Sequence, residues 1–135
     1  MSVKTGLRAF LVAQPSITAL VSQRIGQQGN QGWDKPYVTF RQVAENPHRH
    51  LRGETLKETF LQISCYGRTQ VEAAAVADAV RNSIGEGQRA LTWDDTYVDF
   101  ARWEDRSDDW VDPAAGEGAT IPNESLTLIV WHRPA

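Results

Sequence analysis

A single cysteine, Cys65, occurs in the 135 residues, so the chain cannot build an internal disulfide framework, and a reducing compartment is expected. Cys65 lies within an apolar alternating stretch, where the expected role is that of a small buried hydrophobe. Long hydrophobic runs are missing too. No segment approaches the roughly 18 apolar residues that span a bilayer, and the opening Met1-Ser-Val-Lys-Thr-Gly-Leu-Arg has no signal-peptide core. The expectation is a soluble cytoplasmic chain with no membrane partner. An excess of positive charge is also absent: the formal charge of -3 argues against a general nucleic-acid binder, which gathers basic residues on one face. There is no useful internal repeat and no low-complexity run.

What is present is an ordinary globular composition, 41% hydrophobic and 23% charged, in a length that suits one domain with its own core. A single domain over 1–135 is expected. Five tryptophans are many for this length, so some are expected to face a partner.

Leu7, Phe10 and Leu11 show the i, i+3, i+4 spacing of an amphipathic helix, and Pro15 interrupts it by removing a backbone donor. Ser16 is placed to cap a second short turn carrying Ile17, Leu20 and Val21, so helix is expected over 3–23 with a break at Pro15. The glycine- and glutamine-rich 26–32 reads as loop. Residues 37–43 alternate as a strand, with Val38 and Phe40 on one face and Tyr37, Thr39 and Arg41 on the other. Residues 44–57 are polar and contain Pro47 and Gly53, which predicts an extended hairpin arm before an antiparallel return over 57–66. Both faces of that returning strand carry apolar residues, which predicts a central position.

Thr69-Gln-Val-Glu72 is a capping box, in which the threonine oxygen takes an amide of the first turn and the glutamate reaches back. The helix it opens buries Ala73, Val76, Ala77, Val80 and Ile84, and Gly85 or Gly87 is expected to end it. Residues 91–93 and 97–103 read as a third strand bent around Asp94-Asp95, and 125–132 as a fourth. Between them 104–122 is rich in acids, glycine and proline and reads as a long exposed loop. The expected fold is α+β: a mainly antiparallel four-stranded sheet with two helices on one face, in the order α-β-β-α-β-β.

None of the candidate chemical sites carries a specific signature. His48 and His50 need a third ligand, which only His132 or a carboxylate could supply, to hold a metal, and a solvated basic hairpin tip is the simpler reading. Asp94-Asp95 and the acids of 105–109 lack the alternating oxygen ligands and glycine of a calcium loop. Ser64 and Cys65 sit mid-strand with no glycine-rich elbow, and 26–32 lacks the lysine and hydroxyl of a phosphate loop. No enzymatic activity, metal or cofactor is expected. Trp103, Trp110 and Trp131 suit a core or a protein interface better than base stacking. Trp110, set among acids, is a docking anchor or a cap on the core.

The run Leu20-Val21-x-x-Arg24-Ile25, then Lys35-Pro36-Tyr37-Val38, Leu51-x-Gly53, Gln62-Ile63-Ser64-Cys65-Tyr66 and the helix from Ala74 to Arg81 resembles the tail-completion, or tail terminator, family of tailed bacteriophages, also carried by prophages and phage-like gene-transfer particles. The resemblance covers about residues 7–85, with strand order alone supporting it beyond. The stretch 26–33 lacks the aromatic-proline step associated with the family, and 104–122 looks enlarged.

The resemblance implies a non-enzymatic subunit of a ring, usually a hexamer, assembled in the bacterial cytoplasm. Such a ring caps the tail tube, stops its polymerisation and joins it to the head connector. Its implied partners are further copies of itself, the tail tube protein and the head-tail connector protein, with DNA only as cargo passing through the lumen. The expected subunit or partner interface comprises Arg41, Arg49, His50, Arg52 and Glu54 around the arm, and Asp108, Asp109 and Trp110 in the acidic stretch. The basic tip would meet a neighbour's Asp108 and Asp109, or line the lumen. Competing readings are a small enzyme or ligand-binding α+β domain using a tryptophan-rich sheet face, another head-tail connector component, and a nucleic-acid contact module working through Arg41, Arg49, Arg52 and Arg68.

Overall fold

Pro15 divides the first apolar stretch into two helices, α1 (Val3–Val12) and α2 (Pro15–Val21). It occupies the first position of α2, where a missing N–H costs nothing. The cap is Gln14 in an extended conformation, without a side-chain hydrogen bond, so Ser16 is not the cap. The computed structural model describes residues 3–27, 36–49, 55–84, 88–93, 96–111 and 121–134. Those residues form three helices and one sheet of six strands, rather than two helices and four strands. The strands are β1 (Ile25–Gln27), β2 (Tyr37–Arg49), β3 (Thr55–Tyr66), β4 (Gln88–Trp93), β5 (Thr96–Val111) and β6 (Ile121–Pro134), in the spatial order β1-β2-β3-β6-β5-β4.

Three differences from the sequence reading have local causes. First, Gly26 and Gln27 belong to β1 instead of a loop, because β1 pairs in parallel with Val38 to Phe40 of β2. Arg24 Nε donates to the Pro36 carbonyl at 3.0 Å and Val38 N donates to the Arg24 carbonyl at 3.0 Å, which binds the two chain segments together. Second, the bent third strand is two strands, β4 and β5, paired antiparallel up to Trp93 opposite Thr96. Third, the expected loop at 104–122 is strand at both ends: β5 continues to Val111 and β6 begins at Ile121. Pairing with β6 carries the acidic stretch into the ladder despite the low strand preference of aspartate.

Helix α3 (Gln70–Ser83) follows its capping signal closely. Glu72 N donates to Thr69 Oγ1 at 3.1 Å, while the Glu72 carboxylate accepts from Arg68 N at 2.8 Å, one residue before the cap. Ala73, Val76, Ala77, Val80 and Ile84 are fully buried, and the small alanines let α3 lie against β3 and β6. Ile84 forms the carboxyl-terminal cap, and its carbonyl accepts from Trp103 Nε1 at 2.8 Å, tying the end of α3 to β5.

All three helices cover one face of the sheet. That face supplies Val38, Phe40, Leu61, Ile63, Cys65, Leu126, Leu128 and Val130 to the core, with Leu7, Leu11, Ile17 and Val21 above them. Cys65 is buried, as a small core residue should be. Beyond the helices the same face ends in a polar cluster, where Thr59 Oγ1 lies 2.7 Å from His132 Nε2 and 3.5 Å from Glu45 Oε1. Burial lowers the His132 pKa from its ordinary value; Lys57 adds to this, while Glu45 and Asp99 oppose it.

Gly6 sits where α1 crosses β4, and a Cβ there would lie 2.7 Å from the Trp93 carbonyl oxygen and 2.9 Å from its Cβ. Replacing Gly6 by Ala should gain about 1 kcal/mol of helix propensity but lose about 1–3 kcal/mol to overpacking against backbone. The expected net result is a lower denaturant midpoint. For His132, a depressed folded-state pKa means that the unfolded chain binds the proton first, so the stabilisation is complete above about pH 6.5 and falls as pH drops through that value. Urea unfolding at about pH 7.5 and about pH 5.5 should show this loss, and His132→Gln should flatten it.

Candidate interface on the open sheet face and strand edges

Because the helices lie on one side, the opposite face and the strand edges are the candidate surfaces for a partner; among the described residues no helix packs on that second face, although Thr39, Asn123 and Ile129 within it are buried. Cross-strand register places its side chains in rows. In the first row Tyr37, Tyr66 and Asn123 are neighbours, and the two tyrosine rings stack at 4.7 Å with an interplanar angle of 25°. Burial, and then the adjacent Tyr66 phenol, raises the Tyr37 pKa above its ordinary value. The next row holds Thr39, Ser64 and Ser125, followed by Arg41, Gln62 and Thr127. Gln62 links these two rows, accepting from Arg41 Nε at 2.8 Å and donating to Ser125 Oγ at 3.0 Å.

Phe60 opposite Ile129 and Phe100 opposite Trp131 form the far end, where the Phe100 and Trp131 rings lie 5.3 Å apart. The face therefore has aromatic surface at both ends and a hydrogen-bonded polar band between them. Such a surface offers apolar area for docking and fixed polar groups for orientation. Thr39 Oγ1 and Asn123 Oδ1 are buried there without a hydrogen-bond partner. Among the described residues no three His, Cys, Asp or Glu side chains gather to hold a metal.

The residues expected at the interface are distributed unevenly. Arg41 is exposed on β2 and held by Gln62. Arg49 is the last residue of β2, paired with Thr55. His50, Arg52 and Glu54 lie outside the described residues, between the paired ends of β2 and β3. Asp108, Asp109 and Trp110 belong to β5 rather than a loop, opposite Glu124, Asn123 and Pro122.

The register separates the basic and acidic groups within one copy. Asp109 aligns through Asn123 and Tyr66 with Tyr37, at the start of β2, whereas Arg49 is at its end. That is about 40 Å along the strands at ~3.3 Å per residue, so contact between Arg49 and Asp108 or Asp109 requires two copies. Of the open face, only Arg41 and, by register, Asp109 were among the expected interface residues. Its signal was Phe60, Tyr66 and Trp131 falling on the polar phase of their strands.

The family model described as "Tail completion protein gp17" matches residues 5–110, from within α1 to nearly the end of β5. A chain in the structure of the "Virion of native gene transfer agent (GTA) particle" shares the fold, with a TM-score of 0.65 at 15% identity over 93% of this chain and 90% of that one. No curated protein matches in sequence. The family match extends well beyond half of the chain and takes in most of the sheet, all three helices and both charged strand ends: the chain belongs to the tail completion protein gp17 family.

Proposed function

We propose that the protein is a structural, non-enzymatic subunit of a ring that caps the tail tube of a phage or phage-like particle, ends tail polymerisation and joins the tail to the head connector. The observation that carries this reading is the family match across residues 5–110. The geometry supports it through an open sheet face with aromatic ends and through strand edges whose opposite charges do not meet within one copy. A heterologous contact between such edges, repeated about an axis, makes a closed ring when the rotation fits.

In this reading the copies associate as a hexamer. One side of the ring meets the tail tube protein and the other the head-tail connector protein, while DNA passes through the lumen as cargo. Assembly takes place in the bacterial cytoplasm, and the ring becomes part of the particle tail, whether of a phage, a prophage or a gene-transfer agent. The hairpin arm carrying Arg49, His50, Arg52 and Glu54 contacts a neighbour's acidic β5, with Asp108, Asp109 and Trp110 of that strand toward the Arg41 end of the contact.

Native mass spectrometry should show a species of ring mass when the protein is mixed with purified tail tubes; monomer alone, both free and with tubes, would reject the reading. Reversing charge with Arg49→Glu and Arg52→Glu should leave the urea midpoint of the monomer unchanged, yet impair the joining of tails to heads. Normal-length tails joined to heads in that variant would show that the arm is not the contact.

A further inference from the structure

Among the described residues, each edge of the sheet is half covered. β1 lies beside β2 only from Val38 to Phe40, and among the described residues no strand flanks 41–49 on that side. At the other edge β4 lies beside β5 only over 96–101, and among the described residues no strand flanks 102–111. The two uncovered stretches occupy diagonally opposite corners, because Arg49 sits at the end of β2 and Asp109 aligns with its start.

We propose that these two stretches are partners between copies: 41–49 of one chain pairs antiparallel with 102–111 of the next, so that the sheet continues from copy to copy. This rests on the ring reading above and assigns its contact surface. Direction agrees, since three successive antiparallel pairings make β5 run opposite to β2, and copies related by rotation with their strands side by side keep those senses. Length agrees as well, the two stretches being of nearly equal extent.

Charge selects this pairing over the two-fold alternatives. The β5 stretch carries Glu104, Asp105, Asp108 and Asp109 against Arg102 and Arg106, whereas the β2 stretch carries Arg41 and Arg49 against Glu45. Pairing β5 with another β5 sets two net acidic stretches together; pairing β5 with β2 sets a net acidic stretch against a net basic one. Using two different edges also leaves a free edge at each end of a growing assembly, which propagates until a ring closes. The diagonal placement further implies that the strands tilt against the ring axis, since stagger and tilt are linked in any closed sheet.

Other features restrict which strand can add. Pro47 lies in unbroken register opposite Lys57, so its nitrogen, which cannot donate, faces the open edge. Register shifts at Gln42/Ala44 and Trp103/Asp105 place a bulge in each stretch. An arbitrary strand therefore finds an interrupted ladder, and matching charge decides the partner.

Register places residues 106, 108 and 110 on the same sheet face as Glu45. The test uses the full chain carrying Glu45→Cys together with Arg106→Cys, Asp108→Cys or Trp110→Cys, oxidised in the presence of tail tubes. Wild type, whose Cys65 is buried, and Glu45→Cys alone are the controls. The expected result is a disulfide-linked ladder of oligomers from at least one double variant and from neither control. Dimers from Glu45→Cys alone would indicate a two-fold β2 contact and overturn the proposal. A ring mass without cross-links in any double variant would overturn the edge pairing while leaving the ring reading intact. Absence of a ring mass in the wild type would overturn both.

Discussion

The pairing of β3 with β6 holds this molecule together. β6 is the last strand in the chain, yet it inserts between β3 and β5, with Tyr66 opposite Asn123 at one end and Lys57 opposite His132 at the other. Without that ladder the sheet separates into β1-β2-β3 and a β4-β5 hairpin that share no strand pairing. The apolar pairs Leu61 with Leu128 and Ile63 with Leu126 close it from the helix side, and α3 rests on both strands. Contacts so distant in sequence must overcome loop-closure entropy before packing rewards them. A capped, independently plausible α3 lowers that barrier by providing an apolar face against which both strands can settle.

Elements whose signals are local were legible in the sequence. The break at Pro15, the cap at Thr69, the stripe from Ala73 to Ile84 and the alternation around Ile63 each depend on residues a few positions apart. β1 was not legible because three residues containing a glycine have no pattern of their own; they become a strand only beside Val38 to Phe40. The far half of β5 was hidden for a related reason. Its acids oppose strand propensity, and the partner that overrides them lies beyond the intervening 112–120. Of the candidate interface, only the face of β2 that carries Arg41, away from Val38 and Phe40, followed from local alternation. The placement of Asp108 and Asp109 at the opposite corner from Arg49 required the full register.

That placement changes how the charged groups are understood. Two salt bridges, Arg68 with Glu72 at 3.8 Å and Arg102 with Glu104 at 3.3 Å, join residues close in sequence at largely solvent-accessible sites, where such pairs contribute little to stability. The apolar side of the sheet, with its buried cluster from Val38 to Val130, therefore carries most of the folding energy. The polar band of the open face is already ordered by Gln62, which fixes Arg41 before any partner arrives. A side chain held in place loses less conformational entropy on binding, so the band favours orientation over raw affinity.

The interrupted edges also bear on when a ring would form. A net main-chain hydrogen bond contributes about 0.5–1.5 kcal/mol, and the bulges and Pro47 leave only a few good ones in each stretch. Association of two free copies costs an estimated 4–15 kcal/mol in lost translational and rotational freedom, so one such edge contact does not hold a dimer. Around a closed ring each copy makes two edge contacts, and on a tube end the open face or a rim adds a third surface to the same immobilised copy. In the proposed ring, edges of this strength would make assembly on the tube end faster than assembly in solution, because the template supplies a surface that two free copies lack.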